Sequence, residues 1–156
     1  MADWLDDLES DLRKKVNRRD TFDKLLELPQ EMNERVSWCV AKMAQNKAAP
    51  QGSLELLIQF SKDDDPQVRE NGIWGIGEIA GMNVFHEECI ERTEELLRDD
   101  DKMVRGMAAW AAGRLLKKQN RSSDEVIRLL KDLLNDPSEY VRKAAAFALD
   151  NATADQ

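Results

Sequence analysis

The chain has 156 residues and a formal net charge of −8, with 42% hydrophobic and only 6% aromatic residues. Its length corresponds to one domain that can bury a continuous core. Four prolines and seven glycines favour helices over a sheet. Because the negative charge repels a phosphate backbone, nucleic-acid binding is not expected.

The cysteines and the apolar segments predict a cellular location. Cys39 and Cys89 lie far apart without a CxxC pair, which predicts reduced thiols. No segment approaches the ~18 consecutive apolar residues of a membrane span. The acidic start MADWLDDLESD also lacks the apolar run of a signal peptide. These features predict a cytoplasmic protein without a membrane partner.

Three segments of the chain repeat one pattern. They read DDDPQVRENGIWGIGEIA, DDDKMVRGMAAWAAGRLL and DPSEYVRKAAAFALDNA, and they begin at Asp63, Asp99 and Asp136. Each contains a Val-Arg pair, and six residues after the valine an aromatic residue follows: Trp74, Trp110 and Phe147. A weaker fourth copy places Trp38 36 residues before Trp74. A period of this length indicates a solenoid of stacked repeats.

The repeat pattern predicts a single all-α domain over residues 1–156. Each repeat is expected to contain two helices joined by an acidic turn, with repeats at about 20–46, 53–82, 84–120 and 122–152. Residues 3–18 are expected to form a helix that caps the end of the stack. Four apolar residues lie at helical spacing along it: Leu5, Leu8, Leu12 and Val16.

Helix starts are predicted from the residues that can cap them. Serines are expected to cap two first helices, at Ser53 and Ser123, and another first helix is expected from about Phe85. The second helices are expected to begin at three acid-led pairs: Asp65-Pro66, Asp101-Lys102 and Asp136-Pro137.

An acid and an arginine recur six residues apart at each turn. The pairs are Asp63 with Arg69, Asp99 with Arg105, and Asp136 with Arg142, whereas the first repeat has Glu27 and Asn33 instead. Because a guanidinium can donate to carboxylates in two neighbouring repeats, these residues predict a structural ladder between repeats. The alternative is that they are only solvated charges of the turns.

This pattern of acid, Val-Arg, small residues, tryptophan and glycine resembles the HEAT-repeat superfamily, in particular the short HEAT-like repeats named after phycobilisome lyases. The resemblance covers residues 27–152 and is strongest over 63–152. It implies a right-handed α-α superhelix of about four helix pairs, with the second helix of each pair on the concave side. Such repeats occur in scaffolds, adaptors and a few enzymes, so the resemblance specifies fold rather than function.

An aromatic row is predicted on the concave side. At ~100° per residue, the small and aliphatic residues of each second helix form one apolar arc, and the aromatic position lies opposite it. The row contains Trp38, Trp74, Trp110 and Phe147. It is flanked by residues three before or four after the rings: Arg35, Asn71, Met107, Ala144, Lys42, Glu78, Arg114 and Asn151. This composition is typical of a recognition surface. The alternative is that the rings stack on one another and only stabilise the solenoid.

These observations predict non-catalytic binding of a protein or peptide by the aromatic row. His86 is the only histidine, neither cysteine has a candidate base nearby, and no metal or cofactor is expected. The resemblance leaves two alternatives, a lyase-type subunit that handles a bilin or other cofactor, and a HEAT-like nucleic-acid repair protein. The sequence decides neither the partner nor the oligomeric state.

Overall fold

The computed structural model describes residues 3–82, 84, 86–118 and 123–153, and over this part of the chain every regular element is a helix. The α-helices are α1 (Asp3–Arg13), α2 (Phe22–Leu26), α3 (Asn33–Gln45), α4 (Ser53–Phe60), α5 (Pro66–Ala80), α6 (Glu88–Leu96), α7 (Lys102–Lys118), α8 (Asp124–Leu133) and α9 (Glu139–Thr153). Short 3-10 helices at Arg19–Thr21 and Gln30–Met32 precede α2 and α3. None of these helices is long and apolar enough to cross a membrane.

The helices form a solenoid of two layers. The inner layer contains α3, α5, α7 and α9, each packed against the next, and the outer helices α4, α6 and α8 pack against the inner helix of their own repeat. The first repeat follows the same scheme with the short α2 against α3, while α1 packs against α3 and caps the stack. The predicted all-α repeat solenoid is therefore confirmed.

The interior consists of the small and aliphatic side chains predicted from the apolar arc. Ile73, Ile76 and Ala109 are fully buried. Gly72 and Gly75 bring α5 close to α4. A Cβ at Gly72 would stand 2.6 Å from the backbone nitrogen of Ser61, so only glycine fits that crossing.

Polar side chains cap several helices as their sequence predicts. The Asp65 carboxylate accepts from the Gln67 amide, with Pro66 at the first helical position. The Ser123 hydroxyl accepts from the Val126 amide at the start of α8.

Helix α4 begins at Ser53 as predicted, but the cap predicted there and the predicted start of α9 are wrong, and the start predicted from about Phe85 lies outside the described residues. Gly52, not Ser53, precedes α4, with a φ of 92° that favours glycine, while the Ser53 hydroxyl donates to the Pro50 carbonyl. Helix α9 begins at Glu139 rather than at Pro137. By repeat spacing, Asp136 is the counterpart of the ladder residue Asp99. It is not the counterpart of Asp101, which was predicted to start the preceding inner helix.

The capping helix is shorter than predicted, because the chain reverses after Arg13. Lys15 adopts a left-handed conformation with a φ of 62°, and the Val16 amide donates to the Asp11 carbonyl at 2.8 Å. Leu5, Leu8 and Leu12 are buried as expected, with at most 1% exposure. Val16 lies beyond the helix and is 47% exposed, so its predicted place on the buried face is wrong.

Candidate partner-binding surface

The aromatic row lies on the four inner helices, but its members are unequally exposed. Trp38, Trp74 and Trp110 are half-buried and pack partly against the core. Phe147, on α9, is 61% exposed. The three tryptophans therefore contribute to the packing of the stack, whereas Phe147 is mostly exposed.

Trp110 shows how one ring joins two repeats. A Cβ added at Gly77 on α5 would stand only 2.5 Å from Cζ3 of the Trp110 ring on α7. The guanidinium of Arg114 lies 5.5 Å from the centroid of the same ring, within the range of a cation–π contact. Arg114 also places Nη2 3.7 Å from the Glu78 carboxylate. These contacts hold α5 and α7 together at the middle of the row.

The N-terminal end of the row is covered by the capping helix. The Arg13 guanidinium of α1 lies 4.7 Å from the centroid of the Trp38 ring. Arg35 donates to the carboxylates of Glu9 and Asp6 on α1, and these bonds raise its pKa above the usual value. The guanidinium of Arg35 therefore fixes α1 to α3 while its side chain stays 37% exposed, and its role toward a partner remains a prediction.

Asn71 is also not available to a partner. Its side chain is 5% exposed, and Nδ2 donates to Ser37 Oγ at 3.0 Å and to the Glu34 carbonyl at 3.2 Å. The amide thus joins α5 to α3, where it satisfies buried polar groups of both helices. Its predicted binding role is wrong, because the neighbouring repeat occupies the side of α5 on which it lies.

The remaining flanking residues line the row without closing it. Lys42 donates from Nζ to the Gln45 side chain within α3. Met107 is half-buried and packs against the core, and the Glu78 side chain is 13% exposed beside Arg114. Among the four rings, exposure is therefore greatest at Phe147 on α9.

A pocket of about 390 Å³ lies at the open end of the row, between α7 and α9. Its walls contain the rings of Trp110 and Phe147 and the polar groups Arg114, Lys117 and Asn151. Gly113 forms part of its floor, since a Cβ there would stand 3.0 Å from the Ala148 backbone. The sequence placed Asn151 beside the row, four residues after Phe147, but it missed Lys117 as a lining residue, although Lys117 follows Trp110 at helical spacing.

Two ladder arginines bridge consecutive repeats with the same geometry. Arg69 donates from Nε and Nη2 to both carboxylate oxygens of Asp99, at 2.8 and 3.0 Å, while Nη1 donates to the Asp63 and Asp64 carbonyls at 2.9 Å. Arg105 repeats this arrangement with the Asp136 carboxylate, at 2.9 and 3.1 Å. Each carboxylate belongs to the following repeat, whereas the arginine binds only main-chain carbonyls of its own turn.

Arg142 makes the corresponding local contacts in the fourth repeat. Its Nη1 donates to the Asp136 carbonyl at 2.7 Å and to the Pro137 carbonyl at 3.1 Å. The turn is thus held by a guanidinium in all three strongly matching repeats. The pairing of an acid with the arginine six residues later is a contact to its backbone carbonyl, not to its carboxylate.

The thiols and the histidine are unsuited to chemistry at this surface. Cys39 and Cys89 are buried, and burial raises their pKa values to about 12 and about 11. Both are therefore protonated at neutral pH. His86 is exposed, and its Nδ1 accepts from the Glu88 amide. Among the described residues, no group of three histidine, cysteine or acidic side chains is placed to hold a metal ion.

The stacked helix pairs and the arginine ladder define a helical repeat solenoid. A family model described as HEAT repeats matches residues 53–150. The chain therefore belongs to the HEAT repeats family. A comparison with curated proteins found no significant match.

Solved structures of designed repeat proteins share the fold. One is a designed armadillo repeat protein in complex with the peptide (KR)4, with a TM-score of 0.69 and 22% sequence identity over 85% of this chain. This chain spans 62% of the length of that protein. Another designed armadillo repeat protein has a TM-score of 0.70 and 19% identity, and the match covers 92% of this chain and 69% of the other. At these identities, the likeness concerns the fold alone.

Proposed function

We propose that the protein is a non-catalytic adaptor that binds a segment of a protein partner along its inner helices. The observation that carries this proposal is the pocket between Trp110 and Phe147, with Phe147 61% exposed at its edge. Large aromatic side chains at the rim of a concave pocket are the usual anchors of protein recognition.

The chemistry of the pocket indicates what it can hold. The ring faces suit an apolar or aromatic side chain, while the exposed Lys117 and the Asn151 amide can bond a carboxylate or a peptide carbonyl. Arg114 already contacts Glu78 and the Trp110 ring. It is therefore expected to form part of the pocket wall rather than to donate hydrogen bonds to the ligand. The proposed ligand is therefore an extended peptide segment with an apolar side chain at the pocket.

The solenoid fold supports this kind of function, because stacked inner helices present one continuous surface to an extended chain. The similar designed armadillo repeat protein was solved with a (KR)4 peptide. We do not propose a basic ligand for this pocket, because the cationic side chains of Arg114 and Lys117 line it. The burial of both thiols argues against lyase chemistry. The negative net charge of the chain argues against a nucleic-acid ligand.

The proposal is tested by selecting ligands from a random peptide library and measuring their affinity by fluorescence anisotropy. Phe147→Ala is expected to weaken the selected peptides about tenfold or more, because it removes an anchor of the pocket. Its melting temperature should stay close to that of the wild type, since the ring is mostly in solvent.

Leu134→Ala is the matched control. Leu134 is 40% exposed at the end of α8, away from the aromatic row, so its truncation should leave the affinity unchanged. Equal affinities of the wild type and the Phe147 variant, or equal losses in both variants, would show that the row does not bind the peptide.

A further inference from the structure

The arginine ladder lacks one rung, at the junction of the first and second repeats. At the two later junctions, Arg69 binds the Asp99 carboxylate and Arg105 binds the Asp136 carboxylate. By the same repeat spacing, the first rung would join Asp63 to an arginine at position 33. That position is occupied by Asn33, whose side chain is too short to span the same gap.

The Asp63 carboxylate is nevertheless oriented like its two counterparts. Its Oδ1 accepts from the Asp65 amide at 2.9 Å. Asp99 accepts from the Asp101 amide and Asp136 from the Ser138 amide, both also at 2.9 Å. The same local hydrogen bond therefore orients all three carboxylates. Those of Asp99 and Asp136 each bind a guanidinium. Within the described residues, no cationic side chain pairs with the carboxylate of Asp63.

An open pocket of about 320 Å³ lies where the missing arginine would pass. Its acidic lining residues are Glu31, Glu34, Asp63, Asp64 and Asp65, and none of the described residues that line it is basic. The negative charge of these side chains attracts a cation. The carboxylates are not arranged as a metal site, because no three described acidic side chains converge on one point.

The fold does not depend on filling this pocket. Asn71 already joins the first two repeats through its bonds to Ser37 and the Glu34 carbonyl. The junction is thus held by this amide, and among the described residues the carboxylate of Asp63 has no cationic partner.

We propose that this pocket binds an arginine side chain of a protein partner, with the guanidinium donating two hydrogen bonds to Asp63 as Arg69 does to Asp99. A guanidinium matches a carboxylate in a planar, two-bond arrangement, whereas a lysine ammonium is a point charge. The site therefore discriminates arginine from lysine. It lies at the turn edge of the solenoid and does not rest on the aromatic row.

The test uses two fluorescein-labelled probes of equal charge, the peptide (KR)4 and octalysine, with affinities measured by anisotropy at low ionic strength. The wild-type protein is expected to bind (KR)4 more tightly than octalysine. Asp63→Asn keeps the acceptor for the Asp65 amide but removes the charge. It should weaken (KR)4 binding about tenfold and abolish the preference for arginine.

Two further variants change the net charge by the same single unit. Asp100→Asn alters an exposed acid of the next turn, one residue after the already occupied Asp99, and should preserve the preference. Asn33→Arg supplies the missing arginine from within the chain. It should raise the melting temperature by completing the ladder, and it should abolish the preference by occupying Asp63.

Three results would overturn the proposal: equal binding of both probes by the wild type, equal losses in the Asp63 and Asp100 variants, or no rise in melting temperature for Asn33→Arg. Phe147→Ala should keep the arginine preference, because that ring lies on α9 in the fourth repeat and does not line this pocket. Failure of the aromatic row as a binding site and failure of the arginine pocket are thus measured separately.

Discussion

The indole of Trp110 rests on Gly77 of the preceding inner helix, so close that a methyl group at Gly77 would stand 2.5 Å from Cζ3 of the ring. A large ring on one helix and a missing side chain on the next set the spacing of α5 and α7. The same residue that was predicted to face a partner is therefore also a structural contact between repeats. This relationship explains why Trp110 is only half-buried although it packs between two repeats.

Gly77→Ala is expected to lower the free energy of unfolding by about 1 kcal/mol. The added methyl group displaces the Trp110 ring, which costs about 1–3 kcal/mol as overpacking. The higher helix propensity of alanine offsets about 1 kcal/mol of this cost. Urea unfolding followed by circular dichroism measures the net change.

The Trp110→Ala background provides the control for that prediction. Without the ring, the main obstacle to a methyl group at Gly77 is gone, so Gly77→Ala should then stabilise the protein by up to about 1 kcal/mol. If the substitution has the same effect in both backgrounds, the ring and the glycine are not coupled.

Trp110→Ala and Phe147→Ala should lower the free energy of unfolding by different amounts, because the two rings are differently buried. Trp110 packs against the core and Gly77, so its truncation is expected to cost about 3 kcal/mol. Phe147 is 61% exposed, and its truncation should cost less than about 0.5 kcal/mol. Chemical unfolding of both variants gives the comparison, and equal losses would contradict the assignment of Trp110 as the structural member.

Asp136→Asn should remove part of the acid sensitivity of the fold. Burial acts to raise the pKa of Asp136, but the bonds from Arg105 and the Ser138 amide outweigh it and hold the pKa below its usual range. A group with a lowered pKa stabilises the folded state above its unfolded pKa of about 3.9, and this contribution is lost as the pH falls through the folded pKa. At neutral pH, the substitution is expected to cost about 2 kcal/mol.

The measurement is the free energy of unfolding as a function of pH. The wild type should lose stability below about pH 4 more steeply than the Asp136 variant. Asp132→Asn serves as control, because its side chain is 65% exposed beside Arg128 and should change little. Parallel curves for the wild type and the Asp136 variant would show that this ladder carboxylate contributes no acid sensitivity.

The two cysteines should react with a thiol reagent only when the chain unfolds. Burial raises the pKa of Cys39 to about 12 and that of Cys89 to about 11, so little thiolate exists at about pH 8. Modification by Ellman's reagent should therefore be slow in buffer and rise with urea in step with global unfolding. Gln59→Cys, at an exposed position of α4, should react at once and shows that the reagent is active. Fast modification of the native thiols would contradict their burial.

Sequence patterns predicted the inner helices well, because the small residues recur with the helical period in each repeat. They failed at Asn71, since a helical wheel describes one helix and does not show which side faces a neighbour. Asn71 stands beside the aromatic position on the wheel, yet α3 lies against it and accepts its hydrogen bonds. The wheel also did not show that α1 supplies two carboxylate partners to Arg35.

The ladder illustrates the same limit for charged residues. The spacing of Asp63 and Arg69 indicated a link between them, but spacing along the chain does not distinguish a carboxylate from a carbonyl as the acceptor. In the structure, Nη1 of Arg69 donates to the Asp63 carbonyl. Nε and Nη2 donate to the carboxylate of Asp99, one repeat later. The free carboxylate of Asp63 becomes visible only when the three turns are superimposed in space.

The sequence by itself determined the repeat period, the all-helical class and the apolar face of each inner helix, because these depend on local spacing and on the order of small, acidic and aromatic residues. The tertiary structure alone decided which rings are covered, which polar groups are already bonded and where pockets remain open. Those properties arise from the distance between helices that are some 36 residues apart in the chain. Residues such as Gly77 set that distance, since a helix can approach only as closely as the smallest side chain allows.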